Sequence, residues 1–358
     1  MNFGLTSEQE ELGNFARKFL ERECPTSLVR QAEDSGTGHS QELWQKMAGL
    51  GWLGICLPQN YGGSDRPFTD QVVLFEEFGR ALVPGPLLTS SVLASQIILH
   101  GGNDQQKHEL LPGMVQGELI LTLARGERLE TSSQSGDLIL SGESSFVRHA
   151  GLANQLICAT RPAIGAWPDT TLVLVDTGAE EVTVTGMESI ANYPQYMVEF
   201  DDVALSDDAV LGEIAEGRVA LELSIQRATV IQCAETLGRS QKVLEMVVEY
   251  AKNQDEIGGS QAVQHRCADL KIAVDSGRLL TYQAAWKLEQ GLPASDEISM
   301  AKAQSGTLSR LASMTGHSIF GDIAFTVEHD MQLYSSRAKL AEANLGDTEY
   351  HLDQLIAD

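Results

Sequence analysis

The five cysteines are the residues best suited to redox or metal chemistry, and their spacing argues against both. Cys24, Cys56, Cys158, Cys233 and Cys267 lie far apart, no two form a C-x-x-C pair, and their number is odd. A disulfide framework or a zinc site needs paired or clustered thiols, so buried free thiols and no metal site are expected. Charge is the second feature with chemical consequences. Asp plus Glu number 50 against 25 Lys plus Arg, a formal net charge of −25. A surface this negative repels phosphate backbones and anionic lipid, which sets aside nucleic acid and membrane as partners. A CoA or dinucleotide site on such a chain needs local Arg, Lys or backbone N–H groups. Met1 to Glu11 lacks the charged-then-apolar pattern of a secretion signal, and no apolar run approaches the length of a membrane span. The expected location is the cytoplasm.

The elements that position any site fall into three stretches of the 358 residues, which suit two or three domains. Residues 1–117 read as helical, 118–212 as β-rich and 213–358 as helical again. Thr6 or Ser7 can cap the first helix, with Glu10 or Glu11 placed for a capping box. Leu12, Phe15, Ala16 and Phe19 then give one apolar face, and Leu43, Met47, Leu50 and Leu53 repeat the pattern. Further helices are predicted over Thr69 to Leu82, Ser90 to Leu99, and Asp104 to Leu111, the last stopped by Pro112. Short β-prone runs such as Leu138–Leu140, Gln155–Cys158, Thr171–Val175, Val182–Val184 and Met197–Phe200 follow. Gly, Asp, Ser and Pro clusters separate them at spacings suited to an antiparallel sandwich or barrel. The helical period returns over Val219 to Gln254 (one helix or two, with Gly238 inside), Gln261 to Gln290, Ser295 to Gly316 and Met331 to Ala343.

Specific residues add to this α, β, α order. Gly51-Trp52-Leu53-Gly54 precedes Pro58-Gln59-Asn60-Tyr61-Gly62-Gly63, and Phe200-Asp201-Asp202-Val203 precedes Val210-Leu211-Gly212-Glu213. Tyr250-Ala251-Lys252, Gln261 to Leu270, and Phe325 to Asp330 followed by Leu333-Tyr334 and Arg337-Ala338-Lys339 complete the series. Together, in this order and over nearly the whole chain, these motifs resemble the acyl-CoA dehydrogenase family. The resemblance implies an N-terminal helical domain, a middle antiparallel β-sandwich or barrel, and a C-terminal helical bundle. It also implies FAD, an acyl-CoA substrate and an electron-transfer acceptor.

The family's reaction needs a carboxylate to take the α-proton of the acyl group while the flavin takes the β-hydrogen as hydride. Of its two usual positions for that base, one reads Gln226, next to Arg227, and the other Leu345, before Gly346 and Asp347. Neither an amide nor a leucine accepts a proton, so no catalytic residue is assigned. Glu222, one helical turn before Gln226, and Asp347 are weak substitutes that also read as solvated or capping carboxylates. The FAD contacts implied by the resemblance are eroded too. Gln254-Asp255-Glu256-Ile257-Gly258 stands where an arginine reaches the diphosphate. Ser318-Ile319-Phe320-Gly321-Asp322 stands in place of a glycine-rich loop, and Leu121 to Arg128 in place of the flavin loop. Phe146 and Arg148 occupy the strand beside the flavin ring. Phe146 can stack on the ring or fill the core, and Arg148 can donate to the cofactor or form a surface salt bridge.

Three readings follow from this resemblance. The first is a degenerate subunit that completes a hetero-oligomer with a paralogous acyl-CoA dehydrogenase chain, as in sterol side-chain oxidation. The second is a self-sufficient homotetrameric flavoenzyme with an unusual base. The third is a scaffold without flavin.

Overall fold

A computed structural model describes residues 4–134, 137–162, 170–189 and 193–356. The outermost residues of the two expected helical domains, 1–3 and 357–358, lie outside the described residues.

Helix α1 (Ser7–Glu23) starts at Thr6 with a capping box, but its partner is Gln9 and not Glu10 or Glu11. Gln9 N–H donates to Thr6 Oγ1 at 3.3 Å, and Thr6 N–H donates to Gln9 Oε1 at 3.0 Å. The motif fixes its partner three residues beyond the cap, and only Gln9 stands there. A short α2 (Thr26–Asp34) was not signalled by the apolar pattern, and α3 (Gln41–Gly49) is capped by Ser40. Helix α4 (Phe68–Ala81) matches the prediction to one residue at each end and is buried over most of its length. The helix expected over Ser90 to Leu99 is instead a buried π-helical stretch, Leu87–Ala94, leading into α5 (Ser95–Gly101). Helix α6 (Asp104–Val115) continues through Pro112, correcting the expected stop. Losing one N–H in the last turns is tolerated because Leu111, Met114 and Val115 are buried there.

The β-region forms β1 (Leu121–Gln134), β2 (Asp137–Arg148), β3 (Gln155–Pro162), β4 (Thr171–Asp176), β5 (Val182–Met187) and β6 (Gln195–Leu205). They build one sheet in the order β4-β3-β1-β2-β6-β5. Four of its five pairings are antiparallel as expected, whereas β1 and β3 run parallel in register Leu121 to Gln155. Leu121 to Arg128, expected as a replaced loop, lies within β1.

The C-terminal helices are α7 (Arg218–Lys252), α8 (Asp255–Gly258), α9 (Gln261–Glu289), α10 (Ser295–Phe320), α11 (Met331–Ala343) and α12 (Thr348–Ile356). Helix α7 is continuous, which resolves the one-or-two alternative. The whole assembly of elements matches the expected α, β, α fold class.

The chain divides into two compact units, one from Met1–Arg30, Pro67–Val83 and Thr229–Asp358, the other from Gln31–Arg66 and Pro84–Ala228. In the first, α7 and α4 approach so closely at Gly238 that a β-carbon would sit 1.8 Å from the Glu76 carbonyl oxygen. Glycine there is a packing requirement and not merely tolerated. Arg17 and Arg278 pair with Glu77 and Glu76 at 2.6 and 2.5 Å, and Arg80 pairs with Glu245. Burial alone would raise the Glu245 carboxyl, but bonds from Arg80 and Gln241 bring it below its usual range. In the second unit, Gly62 closes the Asn60-Tyr61-Gly62-Gly63 turn with φ of +84°, a left-handed conformation that suits glycine. Trp44 is buried and donates to the Gly117 carbonyl at 3.1 Å.

Three of the five thiols, Cys24, Cys158 and Cys233, are buried as expected, while Cys56 and Cys267 are half-buried. Among the described residues, no group of acids, histidines and cysteines could hold a metal, and no helix is long and apolar enough to cross a membrane.

Candidate functional site

In the unit that holds the sheet, the decisive geometry lies at the end of β2. The β2–β6 register slips between Ser144 and Val147, a bulge that adds twist and redirects side chains. Phe146 sits in this bulge with φ of +61° and is 64% exposed. The core reading of Phe146 is therefore corrected: the bulge turns the ring outward, and the neighbouring Val147 fills the core instead. Arg148 is half-buried, with its guanidinium 4.6 Å from the centre of the Tyr193 ring. Its Nε is buried without a hydrogen-bond partner. The salt-bridge alternative for Arg148 is corrected as well, because the cation stacks on an aromatic face and pairs with no carboxylate among the described residues. His149, also left-handed at φ of +58°, is buried with Nδ1 3.3 Å from Thr89 Oγ1 and its edge towards Tyr193 at 5.1 Å.

The first turns of α7 belong to the same unit. Gln226 and Arg227 are half-buried there. Glu222 is 55% exposed in its side chain and lies 3.6 Å from Arg218, one turn away. That is the geometry of a solvated helix-surface carboxylate. His100, on α5, is held below its ordinary range by burial and then by the nearby Arg227 and Lys107.

The position of Leu345 belongs to the other unit, where a tightly bonded turn joins α11 to α12. Leu345 and Gly346 both take left-handed φ values, +59° and +93°. Lys302, 1% exposed, donates from Nζ to the carbonyls of Ala341, Glu342 and Gly346 at 3.2, 3.1 and 2.6 Å. The first two are orphan carbonyls at the C-terminus of α11 and the third belongs to the following turn, and a cation satisfies such carbonyls well. His351 Nε2–H donates to the Leu345 carbonyl at 2.9 Å, and Asn344 Nδ2 donates to Gln232 Oε1 at 2.8 Å. Asp347 accepts from Tyr350 N–H at 2.9 Å and so caps α12. Its carboxylate is occupied as a cap in the way the alternative reading anticipated.

The residues at the diphosphate positions are exposed and acidic. Gln254 precedes α8 without a side-chain cap bond, followed by exposed Asp255 and Glu256. A cavity of about 550 Å³ opens beside them, lined by Val248, Ala251, Lys252, Asp255, Gly258 and Cys267 among others. Ser318 and Asp322 are exposed, and Gly321 takes φ of +68° facing open space. A diphosphate needs converging donors, and these positions offer carboxylates. The residues therefore fit FAD unevenly: the orphaned Arg148 Nε and exposed Phe146 suit its ring, whereas 254–256 and 318–322 do not suit its phosphates.

Residues 6–118 match the acyl-CoA dehydrogenase N-terminal domain, and residues 216–358 match the acyl-CoA dehydrogenase C-terminal domain. The chain belongs to the acyl-CoA dehydrogenase family. This family binds FAD, and an acyl-CoA dehydrogenase is an oxidoreductase. The chain is similar to the acyl-CoA dehydrogenase IpdE2 of Mycolicibacterium smegmatis, 26% identical over 99% of each chain. It is also similar to a 3-(aryl)acrylate reductase of Clostridium sporogenes, 28% identical over 83% of this chain and 84% of the relative. Among solved structures, the Tcur3481-Tcur3483 steroid ACAD G363A variant superposes with a TM-score of 0.87 at 25% identity, covering 98% of this chain and 97% of that one.

Sequence reasoning missed Tyr193, His149 and Thr89, since contacts between a loop, a bulge and a π-helical turn leave no periodic trace. Lys302 had a signal, a lysine between Ala301 and Ala303 on an otherwise buried helix face.

Proposed function

We propose that this chain is a subunit of an FAD-dependent acyl-CoA dehydrogenase that completes its active site with a paralogous chain. What supports this reading is that neither position that the resemblance implies for the base carries a carboxylate. Gln226 is an amide, Leu345 is apolar, Glu222 faces solvent beside Arg218, and Asp347 is engaged as a helix cap. Bound FAD supplies the acceptor for the β-hydrogen of the acyl group. The chain's own residues contribute binding and orientation: Phe146 offers a stacking face and Arg148 a cation. The base and the diphosphate contacts come from the partner, because Gln254, Asp255 and Asp322 repel or cannot hold two phosphates. A relative described as a steroid ACAD with two chain names supports both the pairing and a bulky acyl group. An electron-transfer protein is the expected acceptor.

The test is the visible spectrum of the purified chain, alone and co-expressed with its nearest genomic paralogue. Flavin bands only after co-expression, at a fixed ratio below one FAD per chain, support this reading. Stoichiometric flavin in the chain alone overturns it.

A further inference from the structure

We infer that Arg148 compensates the negative charge that the flavin ring gains on reduction, with Tyr193 as the positioning residue that aims it. The inference rests on the proposed function and assigns Arg148 a role within that same site.

Arg148 stands apart among the buried and half-buried arginines of the described residues. Arg17, Arg30, Arg80, Arg239 and Arg278 each face a carboxylate. Arg337 donates to the Leu82 carbonyl at 2.7 Å. Arg148, half-buried, has neither an ion pair nor a side-chain hydrogen bond among the described residues, and its Nε is shut away from solvent. In a chain with twice as many acids as bases, a carboxylate neighbour would be easy to supply. What Arg148 has instead is the face of Tyr193. Stacking holds a guanidinium in place without neutralising it. A partly desolvated, fixed and uncompensated cation is poised for an anion that arrives with a ligand.

The backbone around it is arranged to hold that charge still. Val147 and His149 point into the core on either side of Arg148, and His149 is tied to Thr89 and packed edge-on to Tyr193. Left-handed, non-glycine residues at 146 and 149 bracket the segment. Strain of this kind persists only where surrounding contacts over-determine it. Phe146, two residues upstream, offers an exposed aromatic face, so the segment presents a ring and a cation together.

That pairing suits a planar ligand that changes charge. A hydride carries two electrons and one proton, so its uptake leaves one extra negative charge on a neutral ring until a further proton arrives. Arg148 stabilises the charged form over the neutral one and raises the potential of the couple. A higher potential favours withdrawal of hydrogen from the acyl chain over its return to an enoyl group. Arg148 therefore biases the site towards dehydrogenation.

The experiment uses the co-expressed, flavin-loaded assembly carrying Arg148→Gln, Arg148→Lys or Tyr193→Ala. It reads the flavin-to-chain ratio and the midpoint potential by spectroelectrochemistry. With flavin retained, Arg148→Gln is expected to weaken relative binding of the reduced form at least about tenfold, a fall of about 30 mV for a two-electron couple. Arg148→Lys keeps most of the potential, and Tyr193→Ala lowers it by less than Arg148→Gln. An unmoved potential in flavin-loaded Arg148→Gln overturns this inference and leaves the shared-site reading standing. Should Arg148→Gln assemble without flavin, Tyr193→Ala decides, and an unmoved potential there overturns the inference. No flavin in any wild-type assembly overturns both readings.

Discussion

Replacing Lys302 by methionine tests whether the turn at Leu345 is held by a buried cation. The ammonium is 1% exposed and donates to three carbonyls, at Ala341, Glu342 and Gly346. Burial pulls its pKa below the ordinary lysine value, with Cys233, Asp347 and Glu342 acting in the opposite sense. Two effects compete in the variant. Removing the ammonium relieves a desolvation cost of several kcal/mol. Against this stand the lost charge-assisted bonds, about 1.5–3 kcal/mol each, and carbonyls left buried without donors, about 1–3 kcal/mol each. Three bonds to one cation outweigh one desolvation, so Lys302→Met should destabilise by on the order of 3 kcal/mol. Urea unfolding at constant m-value measures the sum. Hydrogen exchange at residues 344–350 should rise most, since their turn loses its anchor. A loss below about 1 kcal/mol, or a gain, would refute the reasoning and show that relief of desolvation wins.

Gly238→Ala should cost more than about 3 kcal/mol or prevent soluble expression, because its β-carbon meets the Glu76 carbonyl at 1.8 Å. Gly291→Ala, left-handed at φ of +65° but with nothing within 4 Å, should cost only about 1 kcal/mol, both read by thermal unfolding. Glu222→Gln in the assembled complex should leave turnover within about twofold, and a loss of about 10²-fold with the assembly intact would identify it as the base. His39, His100, His317 and His351 all have pKa values lowered chiefly by burial. The unfolded chain then binds more protons than the folded one below an ordinary histidine pKa of about 6.5. Stability is complete above that pH and falls as acid drives the pH below it, and His351→Gln should flatten the slope of a pH series of unfolding midpoints. Burial pushes the Cys24 and Cys233 thiols up to about 12 and 11, and the Cys158 thiol up as well. Iodoacetamide should therefore label native protein only at Cys56 and Cys267 within the time that labels all five thiols in urea, as mass mapping would show.

Long apolar periods were legible in the sequence. Helix α4 is displaced by one residue at each end from its expected span, and α11 begins at Met331 and ends at Ala343 as expected. Helices α2 and α12 were not anticipated, whereas α3, equally nine residues long, was, because Leu43 and Met47 mark an apolar face in it. Pro112 misled because the rule against internal proline counts one lost bond and not the burial around it. The parallel β1–β3 pairing was invisible because strand composition carries no direction. At the candidate site the sequence named Phe146 and Arg148, but their exposure depends on a bulge set by the β6 register and on Tyr193, far along the chain. Chemical identity could be read locally, whereas orientation came from contacts between distant segments.

The unit built from Met1–Arg30, Pro67–Val83 and Thr229–Asp358 also has a consequence for synthesis. Helices α1 and α4 pack together and leave the ribosome early, yet α9, which also packs on α4, and α7, whose Gly238 meets the Glu76 carbonyl, are made only after the whole sheet. Until then Phe75, Phe78 and Leu74 of α4 have no complete core to enter. Domains generally fold as units in the order of their synthesis, and exposed apolar surface invites aggregation. The sheet-bearing unit, Gln31–Arg66 and Pro84–Ala228, can close first and leave α4 as an unsheltered insertion within it. Truncation before α9 should therefore give aggregates rather than a shorter folded protein, as sedimentation of the truncated chain would show.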